Sequence, residues 1–202
     1  MRKRRLPRSF YARDTLIVAE ELVGKILVHR TSEGKTSGRV VEVEAYVGQD
    51  DPACHAARGK TRRNAVMFGR AGHSYVYFIY GMYYCLNVVT EREGFAAAVL
   101  VRAAEPLEGQ QIMQARSPKL SGSKLLAGPG RLCRSMAITQ EHNGLDLLGS
   151  DLYFEDCASD PSQVVRTPRI GIRQGARRLW RFCDPDSAAL SRPVSNISLT
   201  GE

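Results

Sequence analysis

The segment HSYVYFIYGMYYCLNVV, from His73 to Val89, predicts a β-hairpin rich in aromatic residues that turns at Tyr80–Gly81. The ten residues from Tyr75 to Tyr84 hold five of the eight tyrosines in the chain. A strand that only builds a core uses Val, Ile and Leu, whereas aromatic faces on a basic protein suit stacking on nucleobases. The hairpin therefore predicts an antiparallel strand pair and a possible surface for bases.

Several side chains of this hairpin have two interpretations. Tyr75 and Tyr77 share one strand face, and Tyr80 lies at the turn, where a core needs no ring. An exposed ring at a rigid tip suits insertion between base pairs as a wedge, although Tyr80 could also pack over the sheet edge. Asn87, in the otherwise apolar LNVV, could read a base edge or satisfy local backbone groups.

Beyond the hairpin, paired strands and grouped helices predict an α+β fold rather than a doubly wound parallel sheet. Asp14 is the predicted N-cap of a helix over TLIVAEELV, and TSEGKTSG is the predicted hairpin loop before the strand RVVEVEAY. AAAVLVRAAEP is expected to be a central strand because both its faces are apolar. Short strands are expected in DLYFEDC, RIGIR and LWRFCD.

The predicted organisation is a single domain over residues 10–184, a basic N-terminal arm at 1–9 and a loosely ordered C-terminal tail at 185–202. The 202 residues suffice for one well-formed core. The basic start lacks a following apolar region, so it does not predict a secretory signal, and no stretch approaches the ~18 apolar residues of a membrane span. An intracellular protein with no membrane contact is expected, in the cytoplasm or nucleoid if the source is bacterial.

The net charge of +8 and the isoelectric point near 9.5 favour polyanionic partners. Charge alone leaves a nucleic-acid partner and an inert basic surface equally open. The five cysteines are scattered and never spaced as Cys-x-x-Cys. This spacing argues against a disulfide framework and a zinc cluster, and it fits a reducing compartment.

The strand RVVEVEAY places carboxylates beside an aromatic ring. Regular alternation predicts two faces, one with Val41, Val43 and Ala45, and the other with Val40, Glu42, Glu44 and Tyr46. Glu44 beside Tyr46 suits a general base next to a stacked substrate, while the alternative is a half-solvated strand edge.

A single charged residue, Arg102, interrupts the apolar strand AAAVLVRAAEP and needs a charged partner if buried. A pair with Glu44 could hold a water molecule between the two side chains. An ion pair with Glu42 or Glu105 is the structural alternative.

The loop after the carboxylate strand is basic. It holds His55 and then a cluster that is either a solvated charge run or a set of phosphate contacts: Arg58, Lys60, Arg62 and Arg63. His55 beside Cys54 provides too few ligands for zinc, and Asp50–Asp51 is an incomplete Mg²⁺ site. The chain lacks a Walker loop, a dinucleotide fingerprint, a serine elbow and HExxH, so no metal or organic cofactor is expected.

Taken together, these motifs resemble the alkyladenine (3-methyladenine) DNA glycosylase family of single-domain purine glycosylases. The matching stretches are GRVVEVEAYVGQDDPACHA, RRNAVMF, YVYFIYGMYYCLNVV, AAAVLVRAAEPLEG and GPGRLC…MAI, and the resemblance covers nearly all of residues 10–183. It implies a compact domain with a curved antiparallel or mixed sheet, flanking helices and a protruding hairpin.

The resemblance also implies a role for each matching residue. Glu44 would activate a water molecule that Arg102 helps to hold. The base pocket would consist of Tyr46, His55, Tyr77 and Asn87, and Tyr80 would be the wedge. Contacts with the DNA backbone would come from Arg58, Lys60, Arg62, Arg63, Met82 and Tyr83.

A monomer that acts on double-stranded DNA with damaged purines is the implied protein. The implied reaction is hydrolysis of the N-glycosidic bond of alkylated or deaminated purines, such as 3-methyladenine, 7-methylguanine, hypoxanthine and ethenoadenine, which leaves an abasic site. Two other classes remain open on residue chemistry: a noncatalytic binder of damaged DNA, and a single-stranded RNA-binding domain.

Overall fold

A curled antiparallel sheet with a few helices forms the fold in the computed structural model, which describes residues 4–157 and 163–194. The strands are β1 (Ile26–Thr31), β2 (Gly34–Val47), β3 (Ser74–Ile79), β4 (Tyr83–Val89), β5 (Ala97–Pro106), β6 (Leu152–Glu155), β7 (Val165–Thr167) and β8 (Arg181–Cys183). The helices are α1 (Arg8–Tyr11), α2 (Thr15–Leu22), α3 (Gln110–Arg116) and α4 (Pro129–Ser135), with short 3₁₀ turns at Ala65–Phe68, Gly122–Leu126 and Gln140–His142.

The strand order is β3-β4-β5-β2-β1-β6, and β8 pairs with both β2 and β7. Every strand pairing within the described ranges is antiparallel. The long β2 pairs with β5 along one edge, and with β1 and then β8 along the other. The predicted α+β class and the central position of β5 are confirmed, and the strand that carries the carboxylates lies at the middle of the sheet.

The prediction of regular alternation in β2 was wrong at one point. The register against β5 shifts on both sides of Glu42, which is the signature of a β-bulge. Val40 therefore joins Val43 and Ala45 in the main core, while Val41 packs against Ala103 and Ala189. Because both carboxylates follow Val41, the extra residue of the bulge, Glu42 and Glu44 still lie on one side, where both contact Arg102.

The main core lies between the sheet and the helices α2 and α4. The predicted N-cap of α2 is confirmed, because the Asp14 carboxylate accepts hydrogen bonds from the amides of Leu16 (2.9 Å) and Ile17 (3.1 Å). The hairpin loop between β1 and β2 is shorter than predicted, since the two strands pair up to Thr31 and Gly34.

The aromatic hairpin forms as predicted, with β3 and β4 paired from Ser74 to Ile79. At its tip the Met82 amide donates to the Ile79 carbonyl (3.3 Å), and Tyr80 and Gly81 have φ of 54° and 68°. Such left-handed angles suit glycine, whereas they strain a tyrosine. At the base of the tip, Tyr83 packs against Gly130 of α4, so closely that a Cβ on this glycine would lie 2.9 Å from the ring.

Candidate active site

A cavity of about 640 Å³ opens between the hairpin, the sheet and the N-terminal end of α4. It brings together residues that lie between positions 46 and 102 of the sequence: Tyr46, His55, Tyr77, Tyr80, Tyr83, Asn87 and Arg102. The loop 170–172 and Ser191 complete its wall. Glu44 is fully buried just behind this wall, where it contacts Tyr46, Arg102 and Ile170.

Three donors hold the carboxylate of Glu44. The Ile170 amide donates to Oε1 (2.7 Å), while the Tyr46 hydroxyl (2.8 Å) and Arg102 Nη1 (3.3 Å) donate to Oε2. A carboxylate offers about four lone-pair sites, so one remains for a further donor such as water. Burial and the adjacent Glu44 charge raise the pKa of Tyr46, which keeps its hydroxyl a donor.

Arg102 lies between two carboxylates, because its Nε donates to Glu42 (2.9 Å) and its Nη1 to Glu44 (3.3 Å). The expected partner and one structural alternative therefore both occur, whereas the other alternative, Glu105, pairs with Arg39 (2.8 Å). Burial opposes the charge on Arg102, but the two carboxylates outweigh it and raise its pKa. Burial likewise opposes the charge on Glu42, yet the guanidiniums lower its pKa.

Aromatic rings form one side of the cavity. The rings of His55 and Tyr77 lie 4.6 Å apart at 72°, and those of Tyr75 and Tyr77 lie 5.4 Å apart. His55 Nδ1 and the Tyr75 hydroxyl are hydrogen-bonded (2.9 Å), and burial raises the pKa of Tyr75 to about 12. These contacts orient the rings before any ligand arrives.

Asn87 lies at the floor of the same cavity, almost fully buried. Its Nδ2 donates to the Tyr75 carbonyl (3.0 Å), which fixes the orientation of the amide. Asn87 thus satisfies a local backbone group and also faces the cavity, so both interpretations of this residue hold.

Tyr46 has a cation behind its ring. The Arg169 guanidinium lies 4.7 Å from the Tyr46 centroid and 5.1 Å from the Trp180 centroid, and Arg178 covers Trp180 at 4.4 Å. Arg169 is fully buried and does not line the cavity, so it lies behind the Tyr46 ring. Asp51 compensates its charge through two contacts of 2.5 and 2.7 Å.

The segment RIGIR, residues 169–173, is not the strand that the sequence predicted. Its side chains and amides serve the site instead, with Arg169 behind Tyr46 and the Ile170 amide on Glu44. The alternating pattern of apolar and charged residues gave no sign of this role.

The other predicted site residues lie on the surface, at the hairpin tip and in the basic loop 58–63. Tyr80 is 81% exposed and Met82 65% exposed at the hairpin tip. The Arg63 guanidinium covers the Tyr77 ring at 5.4 Å, and Lys60 lies 5.7 Å from the Phe68 ring. Five of the six predicted backbone contacts are exposed and do not line the cavity: Arg58, Lys60, Arg62, Arg63 and Met82.

Sequence reasoning missed the contribution of the C-terminal segment. Ser191 lines the cavity and contacts both Glu42 and Arg102, and Arg181 of β8 donates to Glu42 (2.8 Å). Residues 195–202 of the predicted tail, like residues 1–3 of the predicted arm, lie outside the described ranges. The sequence of residues 187–194, SAALSRPV, has no pattern that could have placed Ser191 here.

Within residues 4–157 and 163–194, no group of three or more His, Cys, Asp or Glu side chains could hold a metal ion. Asp51, half of the incomplete Mg²⁺ pair considered above, is engaged with Arg169. The same described part of the chain contains no helix long and apolar enough to cross a membrane.

Comparison with known proteins identifies relatives along nearly the whole chain. The family model described as methylpurine-DNA glycosylase matches residues 9–188. A protein of Methanocella arvoryzae is 50% identical over 192 residues, which cover 93% of this chain and 96% of the relative. Relatives from a Wolbachia of Brugia malayi (53%; 88% and 95% covered) and from Legionella pneumophila (47%; 94% and 99% covered) match similarly, and all three bear the name "Putative 3-methyladenine DNA glycosylase".

Proposed function

This chain belongs to the methylpurine-DNA glycosylase family, and we propose that it hydrolyses the N-glycosidic bond of damaged purines in double-stranded DNA, the first step of base excision repair. The proposed substrates are alkylated and deaminated purines of the 3-methyladenine, 7-methylguanine, hypoxanthine and ethenoadenine class. The observation that carries the proposal is the buried pair of Glu44 and Arg102 at the wall of an aromatic cavity.

The exposed hairpin tip supports extrusion of the damaged nucleotide. A purine within the duplex cannot be attacked at its sugar carbon, so it must leave the stack at a cost of a few kcal/mol. Tyr80, 81% exposed on a rigid turn, would enter the duplex and fill the vacated space. The cavity beside it, about 640 Å³, falls within the range of about 300–1,000 Å³ that is typical of small-molecule sites.

The pocket residues suit a flipped purine. Tyr46 would stack on one face, with Tyr77 and His55 on the other side, and a cationic alkylated base gains about 0.5–2 kcal/mol from aromatic faces. Asn87, held by its bond to Tyr75, would present a fixed amide that disfavours the exocyclic amino group of normal guanine.

Glu44 and Arg102 would carry the chemistry. A water held by the free lone pair of Glu44 and by Arg102 gives its proton to Glu44, and its oxygen attacks C1′ of the sugar. The bond between C1′ and the purine nitrogen breaks, and its electron pair leaves with the base. The carboxylate also stabilises the positive charge that develops on the sugar. A base alkylated at a ring nitrogen leaves readily, while a neutral base must also gain a proton.

The surface around the cavity would hold the DNA backbone. We infer phosphate contacts for the basic cluster and backbone contacts for the hairpin: Arg58, Lys60, Arg62, Arg63, Met82 and Tyr83. Such contacts set the position of the protein on the duplex rather than its choice of lesion. One pocket serves one lesion, so the proposed active form is a monomer.

The test is single-turnover base release from duplexes that contain one hypoxanthine or one 7-methylguanine. Glu44→Gln should bind lesion DNA as tightly as the wild type but release base about 10²–10⁴-fold more slowly. Glu93→Gln, which makes the same chemical change at an exposed residue outside the cavity, should match the wild type.

Other outcomes would contradict the proposal. Tight binding of lesion DNA by a wild type that releases neither base would favour the noncatalytic damage binder. A preference for single-stranded RNA over lesion duplex would favour the RNA-binding domain. Undiminished base release by Glu44→Gln would remove Glu44 from the mechanism.

A further inference from the structure

We propose that Ser191 and Glu42 are positioning residues that hold Arg102 toward Glu44, so that the C-terminal segment 187–192 completes the active site. This inference rests on the proposed function. It concerns two residues that touch Arg102, and it assigns neither of them a direct part in bond breaking.

Glu42 accepts hydrogen bonds from four donors. Its Oε1 accepts from Arg102 Nε (2.9 Å), Arg181 Nε (2.8 Å) and the Ser191 hydroxyl (2.7 Å), and its Oε2 accepts from the Ser191 amide (2.6 Å). Three of the four donors share Oε1, where Arg102 and the Ser191 hydroxyl meet on one oxygen. Glu42 therefore binds Arg102 and Ser191 at the same time and holds the two side chains together.

Ser191 links the two groups. Its hydroxyl donates its single proton to Glu42, and its oxygen lies 3.2 Å from Nη2 and 3.4 Å from Nε of Arg102, where it accepts. Ser191 and Glu42 thus hold the edge of the guanidinium that is formed by Nε and Nη2. The remaining nitrogen, Nη1, then points toward Glu44. A planar fork held along one edge cannot rotate away from the carboxylate at its other end.

The charges of the cluster balance, with two carboxylates (Glu42, Glu44) against two guanidiniums (Arg102, Arg181). Removal of a neutral hydroxyl leaves this balance intact, so its effect reports on orientation rather than on charge. Arg181 also donates to the Arg192 carbonyl (2.6 Å), which anchors the segment on the far side of Ser191.

The same segment supplies a matched control. The Ser187 hydroxyl also donates to a carboxylate, that of Glu105 (2.6 Å). Ser187 does not line the cavity, and Glu105 forms its ion pair with Arg39 rather than with Arg102. Ser191→Ala and Ser187→Ala therefore delete equivalent hydrogen bonds from one segment, and only the first should affect Arg102.

The experiment measures single-turnover base release, lesion-DNA affinity and the thermal midpoint for both variants. Ser191→Ala should release base at least tenfold more slowly than Ser187→Ala, a difference of about 1.4 kcal/mol in the barrier. Affinity for lesion DNA should differ by less than threefold between the two. In an Arg102→Lys background, Ser191→Ala should have little further effect, because the group that it positions has gone.

Equal rates for the two serine variants of an active enzyme would overturn the inference and leave the proposed function standing. An inert wild type would overturn the proposed function itself. Ser191→Ala could also lower the thermal midpoint, and the Arg102→Lys background then distinguishes the two roles. If Ser191→Ala slows base release by the same factor in the wild-type and Arg102→Lys backgrounds, its role is only structural and the inference is overturned.

Discussion

Gly130→Ala should destabilise the protein, whereas the same change should stabilise it when Tyr83 is replaced by alanine. The change of sign would report the contact between helix α4 and the aromatic hairpin. Gly130 is the second residue of α4, in its first turn, where alanine is better than glycine by at most about 0.5–1 kcal/mol. Its new Cβ would lie 2.9 Å from Cγ and Cδ1 of Tyr83 and 3.1 Å from Cβ of Tyr83. These atoms are at the root of the side chain, so a simple rotation of the ring cannot relieve all three contacts.

The magnitude follows from these contacts. Ordinary carbon contacts begin near 3.5 Å, so the hairpin must move by roughly half an ångström, and such overpacking typically costs about 1–3 kcal/mol. After subtraction of the helix gain, Gly130→Ala alone should destabilise the protein by up to about 2 kcal/mol. In a Tyr83→Ala background only the 3.1 Å contact remains, and the same change should stabilise by at most about 0.5–1 kcal/mol.

Urea unfolding of the wild type, both single variants and the double variant gives the coupling energy directly. The expected coupling is about 1–3 kcal/mol, equal to the overpacking cost that Tyr83→Ala removes. An effect of Gly130→Ala that is the same in both backgrounds would refute the reasoning. Base release should fall in the single variant, because the displaced hairpin carries the Tyr80 tip.

Two further predictions concern the stability of the fold. Asp51→Asn should destabilise by about 3–5 kcal/mol in urea unfolding, because it leaves the fully buried Arg169 without its counter-charge; a loss below 1 kcal/mol would contradict this. Burial lowers the pKa of His29 below the ordinary 6.5, so the unfolded chain binds more protons than the folded protein and stability should be lost as pH falls through 6.5 toward the folded pKa. His29→Gln should reduce this slope between pH 7 and 5, and an unchanged slope would contradict the assignment.

Much of the site could be predicted because its local patterns are strong. The hairpin has two strand-forming runs around a glycine, and α2 has its Asp14 cap, so neighbouring residues alone specify both. The pair of Glu44 and Arg102 was also predictable, since a charged residue in each of two apolar strands needs a partner. These elements depend on short-range chemistry that the sequence states directly.

The rest depends on contacts between distant parts of the chain. The bulge at Val41 follows from how β2 pairs with β5, and no residue of RVVEVEAY marks it. RIGIR has the composition of a strand, but the buried pair of Arg169 and Asp51 holds it as a loop. Ser191 reaches Glu42 from 149 positions away, and nothing in the segment SAALSRPV distinguishes this serine from others in the chain.

The left-handed backbone of Tyr80 sets the needs of folding against those of the proposed wedge at one position. A β-turn with two positive φ angles favours glycine or asparagine, so tyrosine at its first central position is a poor choice for folding. A library of this protein that is selected only for expression and stability should drift toward small residues at position 80. Selection for survival under DNA alkylation should restore a large side chain at position 80. The difference between the residues found under the two selections would show which part of the choice of Tyr80 serves the activity and which part opposes folding.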